Sequence, residues 1–183
     1  SRCDALLHDG MRVAIAGAPN AGKSSLMNAL LGRSRSIVSP AAGTTRDFID
    51  DRIMIGEFSA ILTDTAGLRP GGGEIENEGM RRACEKVAEC DICLFVLDSA
   101  AGVPELPGEI LADRKKCIAV LNKCDLPDSD AERFSGILEG VESVKVSCAN
   151  LEGIDALKGA MRNFARSRLS GLGAVSYTHL TLP

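Results

Sequence analysis

Short apolar runs alternate with segments of helical period along the chain, and most junctions carry glycine or a polar cluster. Residues 11–17 (MRVAIAG) are short, apolar and β-branched enough to be a buried strand; a Gly-rich turn follows, then the helix KSSLMNALLG, which Gly32 stops. Residues 33–47, rich in Ser, Pro, Gly and Thr, predict a loop of unusual length, and such loops are usually functional. Strands at 48–55 and 58–64 joined by a tight turn at Gly56 predict a hairpin, so one of the two runs antiparallel to its neighbour. A second long loop, 65–78, holds three consecutive glycines. Beyond it the pattern predicts a helix near 79–89, a strand DICLFVLD, a weak helix over 104–112 and a strand at 116–121. A helix over 129–139, a strand at 142–147 and a helix over 153–167 complete the series. Strands alternating with helices imply an α/β domain, with a six-stranded, mostly parallel sheet, one antiparallel strand and helices on both faces.

Composition narrows the class. The 183 residues suit one domain, and 45% hydrophobic content can fill a single core. Lys and Arg number 21 against 25 Asp and Glu, a net charge of −4, which excludes a sequence-blind nucleic-acid binder needing a basic face. The longest strictly apolar run is six residues (92–97), far short of the roughly 20 needed to cross a bilayer. With no basic-then-apolar leader, the expectation is a cytoplasmic chain with no membrane partner. Seven cysteines (3, 84, 90, 93, 117, 124, 148) fit reduced thiols. Cys90 and Cys93 form a lone CxxC; an odd offset along a strand sends the two thiols to opposite faces, and they are expected to be buried and structural. With only two histidines, His8 and His179, far apart, a His-based triad or zinc hydrolase is implausible. Residues 1–10 are expected to be the end of a preceding helix, 11–168 the functional domain, and 169–183, without helical or strand period, a linker or non-native tail.

Five segments carry chemistry, in an order chance would not supply. GAPNAGKS (17–24) matches GxxxxGK[ST] directly after a strand and opening a helix. Glycines at 17 and 22 let Asn20, Ala21, Gly22 and the helix N-terminus with Ser25 approach phosphate; Lys23 supplies a point charge and the Ser24 hydroxyl a magnesium ligand. LTDTAGL ends the third strand, where Asp64 would hold magnesium through water and Thr65, Ala66 and Gly67 would lie at a γ-phosphate. AGTTRD in the long loop offers Thr45 as the second magnesium ligand. In LNKCD (121–125), Asp125 can accept from N1–H and N2–H₂ of guanine, a donor pair adenine lacks; Asn122 would fix the neighbouring loop and the Lys123 stem would cover the ring. SCAN (147–150) sets Ser147, Cys148 and a backbone N–H at Ala149 beside guanine O6. Together these predict a site for GTP and GDP.

The set resembles the translation-factor class of bacterial P-loop GTPases, Ras-like in fold, and most of all the G domain of the MnmE (TrmE) family of tRNA-modification GTPases. DTAGLRPGGGEIENEGMRRA is similar to that family's DTAGLR, spacer, ExExxGxxRA, where the EngA type carries a basic run; the likeness covers about residues 5–168. The resemblance implies GTP hydrolysis, with Glu76 orienting the attacking water (Glu74 and Glu78 lie close by) because Leu68 cannot do so. It implies a potassium ion held by the Asn20 side chain with backbone carbonyls near Ser39, Ala41 and Thr44, in place of an arginine finger. It further implies G domains that pair in the active state, and a full-length protein acting on the tRNA wobble uridine with a FAD-dependent partner of the GidA/MnmG type. The alternatives are an EngA- or Era-like ribosome-assembly GTPase and a GTP-gated dimerising scaffold with little turnover.

Overall fold

A computed structural model describes residues 9–32, 51–64, 85, 87–104, 108 and 112–176. Among these, six strands form one sheet: β1 (Met11–Gly17), β2 (Asp51–Ile55), β3 (Phe58–Asp64), β4 (Ile92–Asp98), β5 (Cys117–Asn122) and β6 (Glu142–Lys145), in the order β2-β3-β1-β4-β5-β6. Only β2 runs antiparallel, against β3, as the Gly56 hairpin predicts. The five parallel strands therefore end on one edge of the sheet, and β2 begins there, since Asp51 pairs with Leu62. GAPNAGKS, LTDTAGL, LNKCD and SCAN each begin at or just beyond a strand end on that edge, while AGTTRD lies outside the described residues. Open α/β sheets bind ligands there, beside the strand where the order reverses, which is β1.

Alternation along the strands builds two apolar layers. Val13 and Ile15 of β1, Ala60 and Leu62 of β3, Leu94 and Val96 of β4, and Ile118 and Val120 of β5 face α1 (Lys23–Gly32) and α2 (Ile154–Ser176). The opposite face carries Ala14, Ala16, Phe95, Leu97, Ala119 and Leu121, covered by Val87 of a helical segment and by Phe134. β1, β4 and β5 are apolar on both faces, as strands covered on both sides require. No helix among the described residues is long and apolar enough to cross a membrane.

Several expectations shift. The helix expected over 129–139 is instead a 3-10 turn, Glu132–Phe134, followed by further turns: Phe134, Ser135 and Ile137 each donate to the carbonyl three residues back. Gly136 in mid-segment disfavours an α-helix by about 1 kcal/mol, and a segment this short has little to offset it; the fully buried Phe134 fixes the turns in place. The strand expected at 142–147 stops at Lys145, and Ser147 bridges Glu152 instead. The helix expected over 153–167 runs on to Ser176, through part of the segment expected to be an unstructured tail. Its apolar spacing continues to Leu169, Arg168 lies 5.1 Å over the Phe164 ring, and elongation adds one hydrogen bond per residue fixed. Cys90 and Cys93 do not face opposite ways. Cys90 precedes β4, so strand alternation does not govern it, and both thiols lie in the Phe134 layer with Cys117. They are buried, as expected. Desolvation pushes the Cys90 thiol up, and the hydrogen bond to Cys117, then burial, pushes Cys93 up. Strand 48–55 and the helices at 79–89 and 104–112 are met only in part: 51–55 is strand, residues 85, 87–89, 108 and 112 are helical, and the remainder lies mostly outside the described residues.

Two glycines of the α2 region give predictions of opposite sign. Gly153, before α2, has φ +74, and a Cβ there would collide with the Lys145 carbonyl. Gly153→Ala should destabilise by about 2–4 kcal/mol, from left-handed strain plus overpacking. At Gly159, inside α2, a Cβ meets nothing within 4 Å, so Gly159→Ala should stabilise by about 0.5–1 kcal/mol through helix propensity alone. Urea unfolding of the two variants beside the wild type checks both.

Candidate nucleotide-binding site

The loop after β1 is shaped for an anion. Leu26 donates to the Gly22 carbonyl at 2.9 Å, closing the first turn of α1, and that turn holds no acidic residue to cancel the helix dipole. Gly22 has φ +104, and a Cβ on it would strike the Asn122 amide nitrogen. The Lys23 ammonium donates to the carbonyls of Gly17 (2.7 Å) and Ala18 (2.9 Å), so it sits over the loop it belongs to. Asn20, Ser24 and Ser25 are exposed; Ala21 is buried.

Asn122, at the end of β5, is 2% exposed and joins this loop to the others. Its amide donates to the Ala21 carbonyl at 3.0 Å, and its oxygen accepts from the Cys148 amide at 3.2 Å. The sequence assigned Asn122 to fixing the neighbouring loop; its amide ties two loops at once. Cys124 donates to the Val146 carbonyl at 3.1 Å, a further tie between the NKCD and SCAN segments. Ser147 is buried, exchanges two backbone hydrogen bonds with Glu152 and accepts from the Asn150 amide at 3.1 Å, so it shapes its loop. Asp125 and Ala149 are exposed at the rim. The Cys148 thiol is pushed up to about 11, by burial first and then by the neighbouring Asp125 and Cys124, so Asp125 lies near SCAN.

Lys123 reaches under the P-loop. Its ammonium donates to the Asn20 carbonyl at 2.9 Å and to the Asp98 carboxylate at 2.6 Å. Asp98 escaped the sequence reading. Its signal is an acid closing a strand after six apolar residues, and pairing of Asp98 with Asn122 in the sheet brings it next to Lys123. Burial raises the Asp98 pKa, but hydrogen bonds from Lys123 and the Ala100 amide (2.9 Å), with the lysine charge, outweigh it and hold the carboxyl below its ordinary value. The stabilisation this shift carries is fully present above the unfolded value, roughly pH 4, and is lost as pH falls through the lowered native value.

Of the predicted magnesium ligands, Ser24 lies in the first turn of α1, and β3 ends at Asp64, paired with Ile15. Ser39, Ala41, Thr44, Thr45, Thr65, Ala66, Gly67 and Glu76 lie outside the described residues. Among the described residues no group of three or more His, Cys, Asp or Glu is placed to hold a metal ion. The donor described here, the Ser24 hydroxyl, is an oxygen that suits a hard cation taking its remaining ligands from phosphate and water.

The family described as 50S ribosome-binding GTPase matches residues 12–123. The tRNA modification GTPase MnmE of Chlorobium phaeobacteroides is 45% identical over 164 residues, 85% of this chain and 34% of its own length. That of Chlorobium chlorochromatii is 38% identical over 170 residues, 86% of this chain and 36% of its own. The chain thus spans about a third of the length of these curated relatives. The G domain of the FeoB iron transporter of T. maritima shares the fold, with a TM-score of 0.57 and 25% identity over 85% of this chain and 98% of that one. The chain belongs to the 50S ribosome-binding GTPase family: it is a GTP-hydrolysing enzyme with a P-loop G-domain fold, similar to the G domain of the tRNA modification GTPase MnmE.

Proposed function

We propose that residues 11–168 are the G domain of a GTPase that drives tRNA wobble-uridine modification, and that potassium stimulates its hydrolysis. The observation that carries the guanine site is the Asn122 amide, which ties the P-loop to the SCAN loop. The likeness to MnmE relatives at 38% and 45% identity supports the tRNA pathway. In this reading Asp125 accepts from guanine N1–H and N2–H₂, Ala149 offers its amide to O6, and the Lys123 stem covers the ring. Lys23 exchanges two neutral carbonyls for phosphate oxygens, which are stronger acceptors because they are charged.

GTPases generally use magnesium; here Ser24 and Thr45 would hold it, with Asp64 acting through water, and it would supply charge neutralisation at the phosphates. Glu76 orients the attacking water. Asn20, with carbonyls at Ser39, Ala41 and Thr44, holds potassium where an arginine finger would otherwise stand. G domains pair in the active state, and the whole protein works on tRNA with a FAD-dependent partner of the GidA/MnmG type. The domain's own acidic charge argues that other parts of that protein grip the tRNA. A second reading, ribosome assembly of the EngA or Era kind, draws on the description of the matched family; the acidic EIENEG segment after DTAGLR favours the first.

Asp125→Asn should cut GTP affinity by about 10²-fold, roughly 3 kcal/mol, and shift preference to XTP, because the new amide donor faces the guanine amine but suits xanthine O2. A competition assay in which the variant still prefers GTP would contradict the base-reading role. Lys23→Ala should abolish tight binding. Glu76→Ala should leave fluorescent-GDP binding near wild type while single-turnover hydrolysis falls, since its contact is made mainly in the transition state.

Potassium should accelerate turnover over sodium at fixed ionic strength, by no more than the about 10³ to 10⁵ that an arginine finger supplies. It should also promote dimers with GDP and aluminium fluoride in sedimentation, and Asn20→Ala should blunt both responses. Equal rates in the two salts with a monomer throughout would remove the potassium site from this reading.

A further inference from the structure

Asp98 is fixed by both carboxylate oxygens. Oδ1 accepts from the Ala100 amide at 2.9 Å, and Oδ2 accepts from the Lys123 ammonium at 2.6 Å. The same ammonium donates to the Asn20 carbonyl at 2.9 Å. Asn20 and Lys123 both hold the left-handed conformation, each at φ +64; asparagine visits it readily, but a lysine keeps it only when its surroundings enforce it. The side chains of Lys123 and Asp98 are 33% and 20% exposed, a setting in which an ion pair adds little to folding stability. What the pair does achieve is order. A lysine stem has many rotamers, and a ligand that needs it in one of them otherwise bears that entropy on binding.

We propose that Asp98 is a positioning residue for the guanine nucleotide: its carboxylate holds the Lys123 ammonium in its bond to the Asn20 carbonyl, fixing the base-covering lysine and the phosphate loop as one unit. The proposal rests on the reading of Asn20–Ser24 and Asn122–Asp125 as a nucleotide site, and it adds a residue that none of the five motifs contains. The base half and the phosphate half of that site are otherwise joined only through Asn122 among the bonds described above, so the Lys123–Asn20 bond that Asp98 holds is a second tie.

The decisive variant is Asp98→Asn. An asparagine can keep the bond from the Ala100 amide through its oxygen, but then presents an amide donor to the ammonium, so the turn survives and the tether does not. Lys123→Met keeps the apolar stem and removes the ammonium. Release of fluorescent GDP from the full chain, measured by stopped flow, should be roughly ten-fold faster in each variant, as expected for returning a lysine's rotamer freedom. The double variant should be no faster than Lys123→Met alone, because the two residues act through one bond. The melting temperature of nucleotide-free Asp98→Asn should fall by no more than about 3 °C, the small share of stability that so exposed a pair supplies, which a purely structural role would not allow alongside faster release. Wild-type release from Asp98→Asn, or effects that multiply in the double variant, would overturn the proposal while leaving the nucleotide site standing. A wild-type chain that binds no fluorescent GDP would overturn the site and the proposal together.

Discussion

The Asn122 amide, buried to 2% exposure, reaches 101 residues back to the Ala21 carbonyl and 26 residues forward to the Cys148 amide. Only an amide carries a donor and an acceptor on one short, planar head; a carboxylate would turn an acceptor towards the Ala21 carbonyl and lose that bond to repulsion. Buried polar groups left without partners cost about 1–3 kcal/mol each, so the two bonds are enforced by burial as much as by their own strength. The rest of the site follows from this bracket. Gly22 must lack a side chain because the Asn122 amide occupies the space a Cβ would need, and Asp125, proposed to read the base, lies three residues on from a side chain held by both flanking loops.

Legibility in the sequence tracked how local the determining physics was. β1, the P-loop and α1 were readable because a strand period, a glycine pattern and a helical period meet within 22 residues (11–32). The antiparallel β2–β3 pair was readable from a turn glycine between two apolar runs. The segment at 129–139 was misread because its apolar residues have helical spacing, yet what fixes it is the burial of Phe134 under β4 and β5, a tertiary constraint. The Cys90–Cys93 facing failed at a boundary: Cys90 lies just outside the strand whose alternation was applied to it. Within the site, the NKCD segment carried its own signature, whereas Asp98 became visible only through the β4–β5 register, which sets it beside Asn122.

Backbone strain in the described residues is distributed in the same way. The three non-glycine residues there with positive φ are Asn20, Lys123 and Leu151, one in the P-loop, one in NKCD and one directly after SCAN. Such conformations cost of order 1–3 kcal/mol each and persist where surroundings over-determine them. The surroundings here are identifiable: the Lys123–Asn20 bond for the first two, and for the third the Ser147–Glu152 bridge, whose backbone pair closes the turn containing Leu151. The sheet therefore bears the cost of shaping the loops before any ligand arrives, and a nucleotide need not spend binding energy to order them.

That arrangement also explains how an acidic domain can attract a polyanion. The net charge of −4 belongs to the whole surface, and its field beyond a Debye length of about 8 Å is screened at physiological salt. What a phosphate meets at contact is local: the unopposed N-terminus of α1 and the Lys23 ammonium held across the loop by two carbonyls. The Asp98 carboxylate beside the loop is paired at 2.6 Å with Lys123, which offsets its repulsion of an anionic ligand. In the proposed site Asp125, exposed at the rim, faces the donors of guanine. In that reading the attraction for phosphate and the acceptor for the base stand apart along one sheet edge, and specificity for a guanine nucleotide over a bare phosphate follows from that separation.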